Sequence, residues 1–191
     1  MIYLASRSPR RAELLQQINV SFCCVKADIE ECQNSGELAE DYVLRLATQK
    51  AQAGFMNSDK QQIVLGADTI VVIDGEVLEK PQNQQHALQM MQRLSAKTHH
   101  VFTAVALYDG KKGSSVVVKT AVTFKILTTQ EITDYWQSGE PQDKAGGYAI
   151  QGFASKFVTH ISGSYSAVVG LPLYETDQLI KEFLIGAHHV G

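Results

Sequence analysis

The order of strand-like and helix-like segments changes halfway along this 191-residue chain. In the first half, short apolar runs alternate with segments of helical periodicity, which is typical of strand–helix–strand units and a parallel sheet. In the second half, two long strand-like runs meet at the turn Asp109-Gly110, which is typical of an antiparallel hairpin. A chain with both patterns is expected to form an α/β fold, with a mixed, twisted central sheet flanked by helices.

Turn and capping residues divide these patterns into individual elements. The predicted strands are residues 2–5, 20–25, 63–65, 70–73, 100–108, 115–127 and 157–161, the last paired with 167–169. The predicted helices begin at Pro9, Ser35, Asn83, Thr128 or Thr129, and Pro172, and the last ends near Gly186. Asp74-Gly75 between two apolar runs predicts a two-residue hairpin turn, and residues 143–152 predict a glycine-bearing loop with a short strand.

Composition narrows the class of protein. Apolar residues make up 45% of the chain, enough for a substantial core, and no apolar run approaches the roughly 18 residues of a membrane span. The formal net charge of −3 argues against a broad basic surface for nucleic acid. Three cysteines without metal-ligand spacing, and an N-terminus without a secretory signal pattern, favour a reduced, cytoplasmic protein. We therefore expect one domain over residues 1–191, with neither nucleic acid nor membrane as a partner.

A cluster of arginine and hydroxyl side chains follows the first predicted strand. Residues 6–11 read Ser-Arg-Ser-Pro-Arg-Arg, with Ser8 placed to cap a helix and Pro9 to begin it. The N-terminus of a helix attracts anions, and Arg10 and Arg11 add forked donors. The hexamer alone is equally compatible with a phosphate-binding turn and with a solvated basic helix start.

Isolated carboxylates form the second set of candidate residues. Asp68 lies in Gly66-Ala67-Asp68-Thr69, between two predicted apolar strands, where a carboxylate is costly unless it is paired or binds a metal. The alternative is a turn aspartate that caps its own backbone. Glu30 and Glu31 lie in an acidic turn and are either solvated or, with Asp68, ligands of Mg²⁺.

Lysines at the ends of predicted elements complete the set. Lys50, Lys80 and Lys144 are individually typical of a protein surface. Together with the arginine cluster and the carboxylates, they are the groups that bind and cleave a metal-bound polyphosphate. The sequence contains neither the phosphate-binding pattern GxxxxGK[ST] nor GxGxxG, so a P-loop or a Rossmann dinucleotide site is not expected. The six histidines show no convincing ligand spacing.

Several motifs in series resemble the Maf family of nucleotide pyrophosphatases. They are residues 4–11, Gly66-Ala67-Asp68-Thr69, Asp74-Gly75 with Lys80-Pro81, residues 143–148, Ile150-Gln151-Gly152, and Gly163-Ser164-Tyr165 with Gly170-Leu171-Pro172. The resemblance implies a Maf/ITPase-like fold with two lobes around a nucleotide cleft. It also implies a divalent cation, Mg²⁺ or Mn²⁺, and cleavage of nucleoside triphosphates to a monophosphate and pyrophosphate.

The resemblance also implies a substrate and roles for individual residues. Residues 143–152 resemble the subgroup that acts on dTTP and UTP, rather than the subgroup that acts on 7-methyl-GTP. Asp68 is then the catalytic proton acceptor, and Glu30 and Asp68 are candidate metal ligands. The implied substrate-binding and specificity residues are Ser6, Ser8, Arg10, Arg11, Lys50, Thr69, Lys80, Lys144 and Gln151. The amide of Gln151 both donates and accepts, so it complements the edge of uracil or thymine.

Two other functions remain open from the sequence. One is a nucleotide-binding regulator of septum formation in which hydrolysis is incidental, because the resemblance also associates the family with cell division. The other is a phosphohydrolase of a different kind with the same anion site. Trp136 and the long hairpin are candidates for a homodimer interface.

Overall fold

The computed structural model describes residues 1–188. The strands are β1 (Ile2–Ala5), β2 (Phe22–Cys24), β3 (Val64–Ile73), β4 (Glu76–Leu78), β5 (Thr98–Tyr108), β6 (Gly113–Phe124) and β7 (Val158–Ser162). The helices are α1 (Pro9–Gln17), α2 (Ala39–Met56), α3 (Gln84–Leu94), α4 (Thr129–Gln137), α5 (Tyr165–Val169) and α6 (Leu173–His188). Most ends differ by only a few residues from those that the sequence predicts.

The strands within the described residues form one mixed sheet. Its order is β2-β1-β3-β5-β6-β7, and β4 also pairs with β3. β1 is parallel to β2 and to β3, with Tyr3 opposite Cys23 and Val64. β3–β4 and β6–β7 are antiparallel. The prediction of an α/β fold with a mixed sheet is confirmed.

The chain divides into two compact units. Unit 1 contains Met1–Asp68, Thr103–Val118 and the described part of Gly170–Gly191. Unit 2 contains Thr69–Phe102 and Lys119–Val169. A single domain over residues 1–191 stays a prediction.

In unit 1, close contact between α2 and β3 depends on a residue without a side chain. A Cβ atom at Gly66 would lie 2.3 Å from the carbonyl oxygen of Ala47 and 2.4 Å from the backbone nitrogen of Ala51. Both are backbone atoms, so they could not move aside as a flexible side chain could. Gly66 therefore allows the helix to lie directly against the strand.

The core of unit 2 is a cluster of apolar residues from β3 to β7. It includes Val71, Leu78, Met90, Met91, Leu94, Val101, Val122, Phe124, Ile132, Tyr135, Tyr148, Ile150 and Phe157. The β3–β4 hairpin turns at Asp74 and Gly75, whose φ angles are 53° and 82°. Positive φ at both central residues is the conformation that matches strand twist in two-residue hairpins. The predicted turn is confirmed.

The predicted break around Asp68 is wrong, because β3 continues from Val64 to Ile73. Glycine and aspartate are poor strand formers, so Gly66 and Asp68 suggested a turn. Pairing overrides this preference: Ala5 lies opposite Gly66 on one neighbouring strand, and Val71 lies opposite Leu78 on another. Asp68 is therefore a strand residue rather than a turn residue.

Two further strand predictions are also wrong. The segment 143–152 forms 3₁₀ turns instead of a strand, because Gly146 and Gly147 have φ angles of 68° and 71°, outside the extended region. Ala167 to Val169 belongs to α5, where the side chain of Ser164 accepts a hydrogen bond from the backbone N–H of Ala167, 3.2 Å away. The partner of β7 is β6.

Candidate active site

The arginine-rich turn has the predicted strand-to-helix geometry. Ser8 is the N-cap of α1 and Pro9 its first residue, but within the described chain the Ser8 side chain makes no capping hydrogen bond. Instead, Oγ of Ser6 accepts from the backbone N–H of Ser8 (3.1 Å) and from Nη1 of Arg11 (3.4 Å). Nε of Arg11 donates to the carbonyl of Gly170 at 2.8 Å. The turn therefore holds Arg11 in a fixed direction.

A buried ion pair joins α2 to β3. Asp68 lies two residues after Gly66, so both occupy the same face of β3, against α2. Nζ of Lys50 is 2.5 Å from Oδ1 of Asp68 and 2.6 Å from Oε1 of Glu31. Lys50 is 9% exposed and Asp68 7%. Each charge compensates the other for the loss of water, which a buried charge requires.

Arg11 is electrostatically coupled to this pair. Burial lowers the pKa of the Arg11 guanidinium, and the neighbouring charge of Arg10 lowers it further, whereas the carboxylates of Asp68 and Glu31 raise it. Arg11, Glu31, Lys50 and Asp68 thus form one group of two cations and two anions, which we call the charge cluster.

Helix α2 also fixes the irregular segment that carries Glu31. Nε and Nη2 of Arg45 donate to the two carboxylate oxygens of Glu37, at 2.6 and 2.8 Å, and Nη2 also donates to the carbonyl of Cys32 at 2.8 Å. These hydrogen bonds lower the pKa of Glu37 to about 2. Arg45 therefore holds the chain directly after Glu31, while Lys50 holds Glu31 itself.

The structure brings Glu31, rather than the predicted Glu30, to Lys50. Glu30 is exposed, and its assignment as a metal ligand stays a prediction. The two glutamates are adjacent in a segment without helix or strand, so no periodicity could indicate which side chain points to Asp68. The sequence therefore contains no signal that selects Glu31 over Glu30.

The other predicted residues belong to unit 2. Thr69 is half-buried in β3, Lys80 is exposed after β4, and Nζ of Lys144 pairs with the carboxylate of Asp143. Gln151 is exposed in a turn that is closed by a hydrogen bond from Gly152 N–H to the carbonyl of Ala149, 3.0 Å long. Ser6, Ser8, Arg10, Arg11, Lys50 and Asp68 lie in unit 1. The roles of all these residues stay predictions.

A buried histidine supports the loop before Gln151. His99 in β5 is fully buried, and its Nε2 lies 2.7 Å from the hydroxyl of Tyr148. Burial lowers the pKa of His99 to about 4, so the ring is neutral at pH 7. Burial also raises the pKa of Tyr148. No sequence pattern indicates that His99 contacts this loop. Of the six histidines in the sequence, His189 lies outside the described residues.

The carboxylate oxygens near Lys50 suit a divalent cation whose remaining ligands come from phosphate and water. Among residues 1–188, no three His, Cys, Asp or Glu side chains form a group that could hold a metal ion by themselves. Asp68 and Glu31 nevertheless converge on Lys50 and supply hard carboxylate oxygens. Mg²⁺ in nucleotide enzymes needs one or two carboxylates and takes its remaining ligands from phosphate and water.

Among residues 1–188, no helix is long and apolar enough to cross a bilayer.

The fold and the charge cluster together define an α/β protein with a partly buried cationic and acidic site beside a helix N-terminus. A family model described as Maf-like protein matches residues 1–183, and the chain belongs to this family. The predicted family is thereby confirmed.

Curated relatives match over nearly their whole length. The dTTP/UTP pyrophosphatase of Pseudoalteromonas atlantica is 60% identical over 184 residues, covering 95% of this chain and 96% of the relative. The dTTP/UTP pyrophosphatases of Vibrio vulnificus and Escherichia coli O157:H7 are 57% and 53% identical, over 96% and 95% of this chain and 98% and 92% of their own. A solved dITP/XTP pyrophosphatase from Mycobacterium abscessus is 17% identical with a TM-score of 0.41, covering 64% of this chain and 73% of its own.

Proposed function

We propose that this protein hydrolyses dTTP and UTP to the nucleoside monophosphate and pyrophosphate. The observation that carries the proposal is the buried carboxylate of Asp68, held at 2.5 Å by Lys50 inside the charge cluster. A fixed carboxylate among cations is the arrangement that a water-activating base beside a polyphosphate requires. The names of the curated relatives support the choice of substrate.

In the proposed reaction, water attacks the α-phosphorus and the bond from that phosphorus to the bridging oxygen breaks. Pyrophosphate leaves with the electron pair of that bond. Lys50 holds Oδ1 of Asp68, and Oδ2 accepts the proton of the attacking water. The ion pair fixes the direction of the carboxylate, so little reorganisation is needed during the reaction.

The cations have the separate task of binding the phosphates. Ser6, Ser8, Arg10 and Arg11 surround the start of α1, where the helix dipole also favours an anion. Lys80 and Lys144 of unit 2 are proposed to balance charge on the leaving pyrophosphate. A divalent cation, held by Asp68 with Glu30 or Glu31, would supply further neutralisation of the triphosphate.

The base is proposed to be recognised by unit 2. Gln151 offers one donor and one acceptor, which match the acceptor and donor on the edge of uracil and thymine. A cytosine base presents the reversed pattern, so an amide held in the orientation that fits uracil would lose its hydrogen bonds to cytosine, which discriminates against that base. Thr69 is proposed to contribute to the same choice.

A product assay over a panel of nucleotides tests the proposed activity. With Mg²⁺ or Mn²⁺, we expect pyrophosphate from dTTP and UTP at rates well above those from CTP and the purine triphosphates. Release of orthophosphate would replace the proposal with a different phosphohydrolase. Tight binding without turnover would instead favour the regulator of septum formation.

The Asp68→Asn variant tests the proposed base. It keeps the shape of the side chain but removes its basicity, so we expect kcat to fall at least about 100-fold. Asp177→Asn, on the surface of α6, is the matched control and should retain wild-type turnover. Near-normal turnover of a folded Asp68→Asn protein would remove Asp68 from the mechanism.

Two further proposals concern the protein in the cell. We propose a cytoplasmic location, which the three exposed cysteines without disulfides favour. We also propose a homodimer that involves Trp136, which lines a groove between α3 and α4 with Leu88 and Ile132. Light scattering of the purified protein would give the mass, and a monomer at micromolar concentration would reject the dimer.

A further inference from the structure

We propose that Tyr135 and Glu140 set the base preference of the enzyme by clamping the turn that carries Gln151. This inference rests on the proposed function, in which Gln151 reads the pyrimidine edge. The turn consists of residues 149–152, and we call it the Gln151 turn. Tyr135 and Glu140 touch only its backbone and flanks, so they are positioning residues.

One end of the Gln151 turn is held by a tyrosine hydroxyl. The backbone N–H of Ala149 donates to the hydroxyl oxygen of Tyr135 at 3.1 Å. That hydroxyl in turn donates to Oε1 of Glu140 at 2.7 Å. Tyr135 itself is fixed, because it is buried in α4 and its ring meets Phe157 edge-on at a centroid distance of 5.4 Å.

The other end of the turn is held by the carboxylate of Glu140. Its Oε2 accepts from the backbone N–H of Phe153 at 2.9 Å, and its Oε1 accepts from that of Ala154 at 3.4 Å. Tyr135 and Glu140 therefore accept hydrogen bonds from the backbone on both sides of Gln151. Hydrogen bonds to an ionised acceptor are stronger than neutral ones, so the carboxylate is the firmer half of the clamp.

The sequence of the turn is adapted to this carboxylate. A Cβ atom at Gly152 would lie 2.0 Å from Oε2 of Glu140, so a side chain at this position would displace the carboxylate. Ala149 and Ile150 are buried, whereas Gln151 is exposed. The clamp thus holds the backbone of the turn and leaves the side chain of Gln151 exposed.

Loosening the clamp should affect recognition of the base more than chemistry. The proposed reacting groups belong to the charge cluster of unit 1, whereas Tyr135, Glu140 and Gln151 belong to unit 2. A mobile Gln151 amide would bind the base more weakly, because part of the binding energy is then used to order the turn. It would also bind less selectively, because a loose turn lets the amide rotate to match the reversed donor and acceptor of cytosine. We therefore expect a higher KM for UTP and weaker rejection of CTP, with kcat almost unchanged.

The first test is Tyr135→Phe, which removes the hydroxyl and keeps the ring. We expect the KM for UTP to rise about tenfold and the UTP-to-CTP ratio of kcat/KM to fall about tenfold, as for the loss of one hydrogen-bonded position. Tyr108→Phe is the matched control, because the Tyr108 ring packs edge-on against Phe55 in unit 1. It should leave both quantities unchanged. A lower Tm with an unchanged ratio would show a merely structural role and overturn the inference.

A double-mutant cycle tests whether the clamp acts through Gln151. In a Gln151→Ala background, Tyr135→Phe should cause no further loss of the UTP-to-CTP ratio, because the residue being positioned is already absent. An equal loss in both backgrounds would overturn the inference. Glu140→Gln provides a second route if Tyr135→Phe fails to fold, since one acceptor oxygen remains. The ratio should then fall in the same direction, and an unchanged ratio would overturn the inference.

The outcomes separate this inference from the proposed function. A wild-type protein that releases no pyrophosphate from dTTP or UTP would overturn both. An active wild-type protein that prefers UTP over CTP, together with a Tyr135→Phe variant of equal preference, would overturn the clamp alone.

Discussion

The charge cluster of unit 1 and the Gln151 turn of unit 2 hold functional groups by different means. In the charge cluster, Lys50 lies between two carboxylates, and side chains fix one another by opposite charge. In the Gln151 turn, a hydroxyl and one carboxylate accept hydrogen bonds from backbone N–H groups, and the functional side chain takes no part.

Under the proposed function, this difference follows from the part of the nucleotide that each region binds. Phosphates carry charge, so the groups that bind them must be charged before the ligand arrives and need partners in the meantime. A nucleobase offers neutral donors and acceptors, so the group that reads it needs direction rather than charge. The two regions should therefore respond differently when one partner is removed or when the pH changes.

The largest expected effect is the loss of Lys50, the cation that contacts both carboxylates of the charge cluster. Lys50→Met leaves Asp68 buried without its partner, so we expect unfolding free energy to fall by about 3–5 kcal/mol, together with nearly complete loss of turnover. Urea denaturation measures the change, and Lys111→Met, at an exposed turn, is the control. A loss below about 1 kcal/mol would mean that solvent already stabilises Asp68, and the comparison with unit 2 would no longer hold.

The stability of unit 2 should fall at acidic pH because of His99. Its pKa falls from 6.5 to about 4 on folding because the ring is buried. The unfolded chain therefore binds a proton between these values and the folded protein does not, so stability is lost as the pH falls from 6.5 to 4. The contribution is on the order of 3 kcal/mol.

The measurement is the unfolding free energy at several pH values for wild type and His99→Gln. The difference between the two proteins isolates His99 from the partly buried His100, whose pKa is also lowered by burial. The slope between pH 4 and 6.5 should be smaller in the variant. Parallel curves would show that folding does not lower the pKa of His99.

A smaller effect is expected from the Arg45–Glu37 pair, which holds the segment after Glu31. Glu37→Gln weakens the forked hydrogen bonds, so Glu31 should reach Lys50 less often and kcat/KM for dTTP should fall by less than about tenfold. Glu40→Gln, exposed in the first turn of α2, is the control. A loss as large as that of Asp68→Asn would make Glu37 part of the reacting site.

The smallest effect is expected from an ordinary surface pair. Lys181 and Asp177 lie one turn apart on α6, and Nζ of Lys181 is 2.5 Å from Oδ2 of Asp177. Lys181→Ala should lower stability by only about 0.3–0.5 kcal/mol, since solvent and salt screen such pairs. A loss above about 1 kcal/mol would mean that this surface pair stabilises the protein in the same way as the buried Lys50–Asp68 pair.

Local patterns were sufficient to predict several parts of the fold and of the candidate site. The start of α1 follows from an apolar strand before Ser8 and from Pro9 at the first helical position. The hairpin turn follows from Asp74-Gly75, because both residues tolerate a positive φ. These features depend on neighbours in sequence, and the sequence displays them.

Features that depend on distant contacts could not be predicted in this way. The sequence pattern breaks the strand around Asp68 and leaves a turn aspartate open, because nothing local indicates that Lys50 of α2 stabilises Asp68 within a strand. Glu31 could not be distinguished from Glu30 for the same reason. Tyr135 and Glu140 belong to no recognisable motif, and their role emerges only when the chain returns at Phe153.

The absent side chain of Gly66 has a consequence for how variants of this protein should be interpreted. Lys50 is carried by the same helix that touches Gly66, between the contact residues Ala47 and Ala51. A methyl group added at Gly66 would push α2 outward and increase the distance between Lys50 and Asp68. Under the proposed function, the distance between helix and sheet therefore affects the reaction, and a Gly66 substitution that resembles a simple packing defect should be observed first as a loss of turnover.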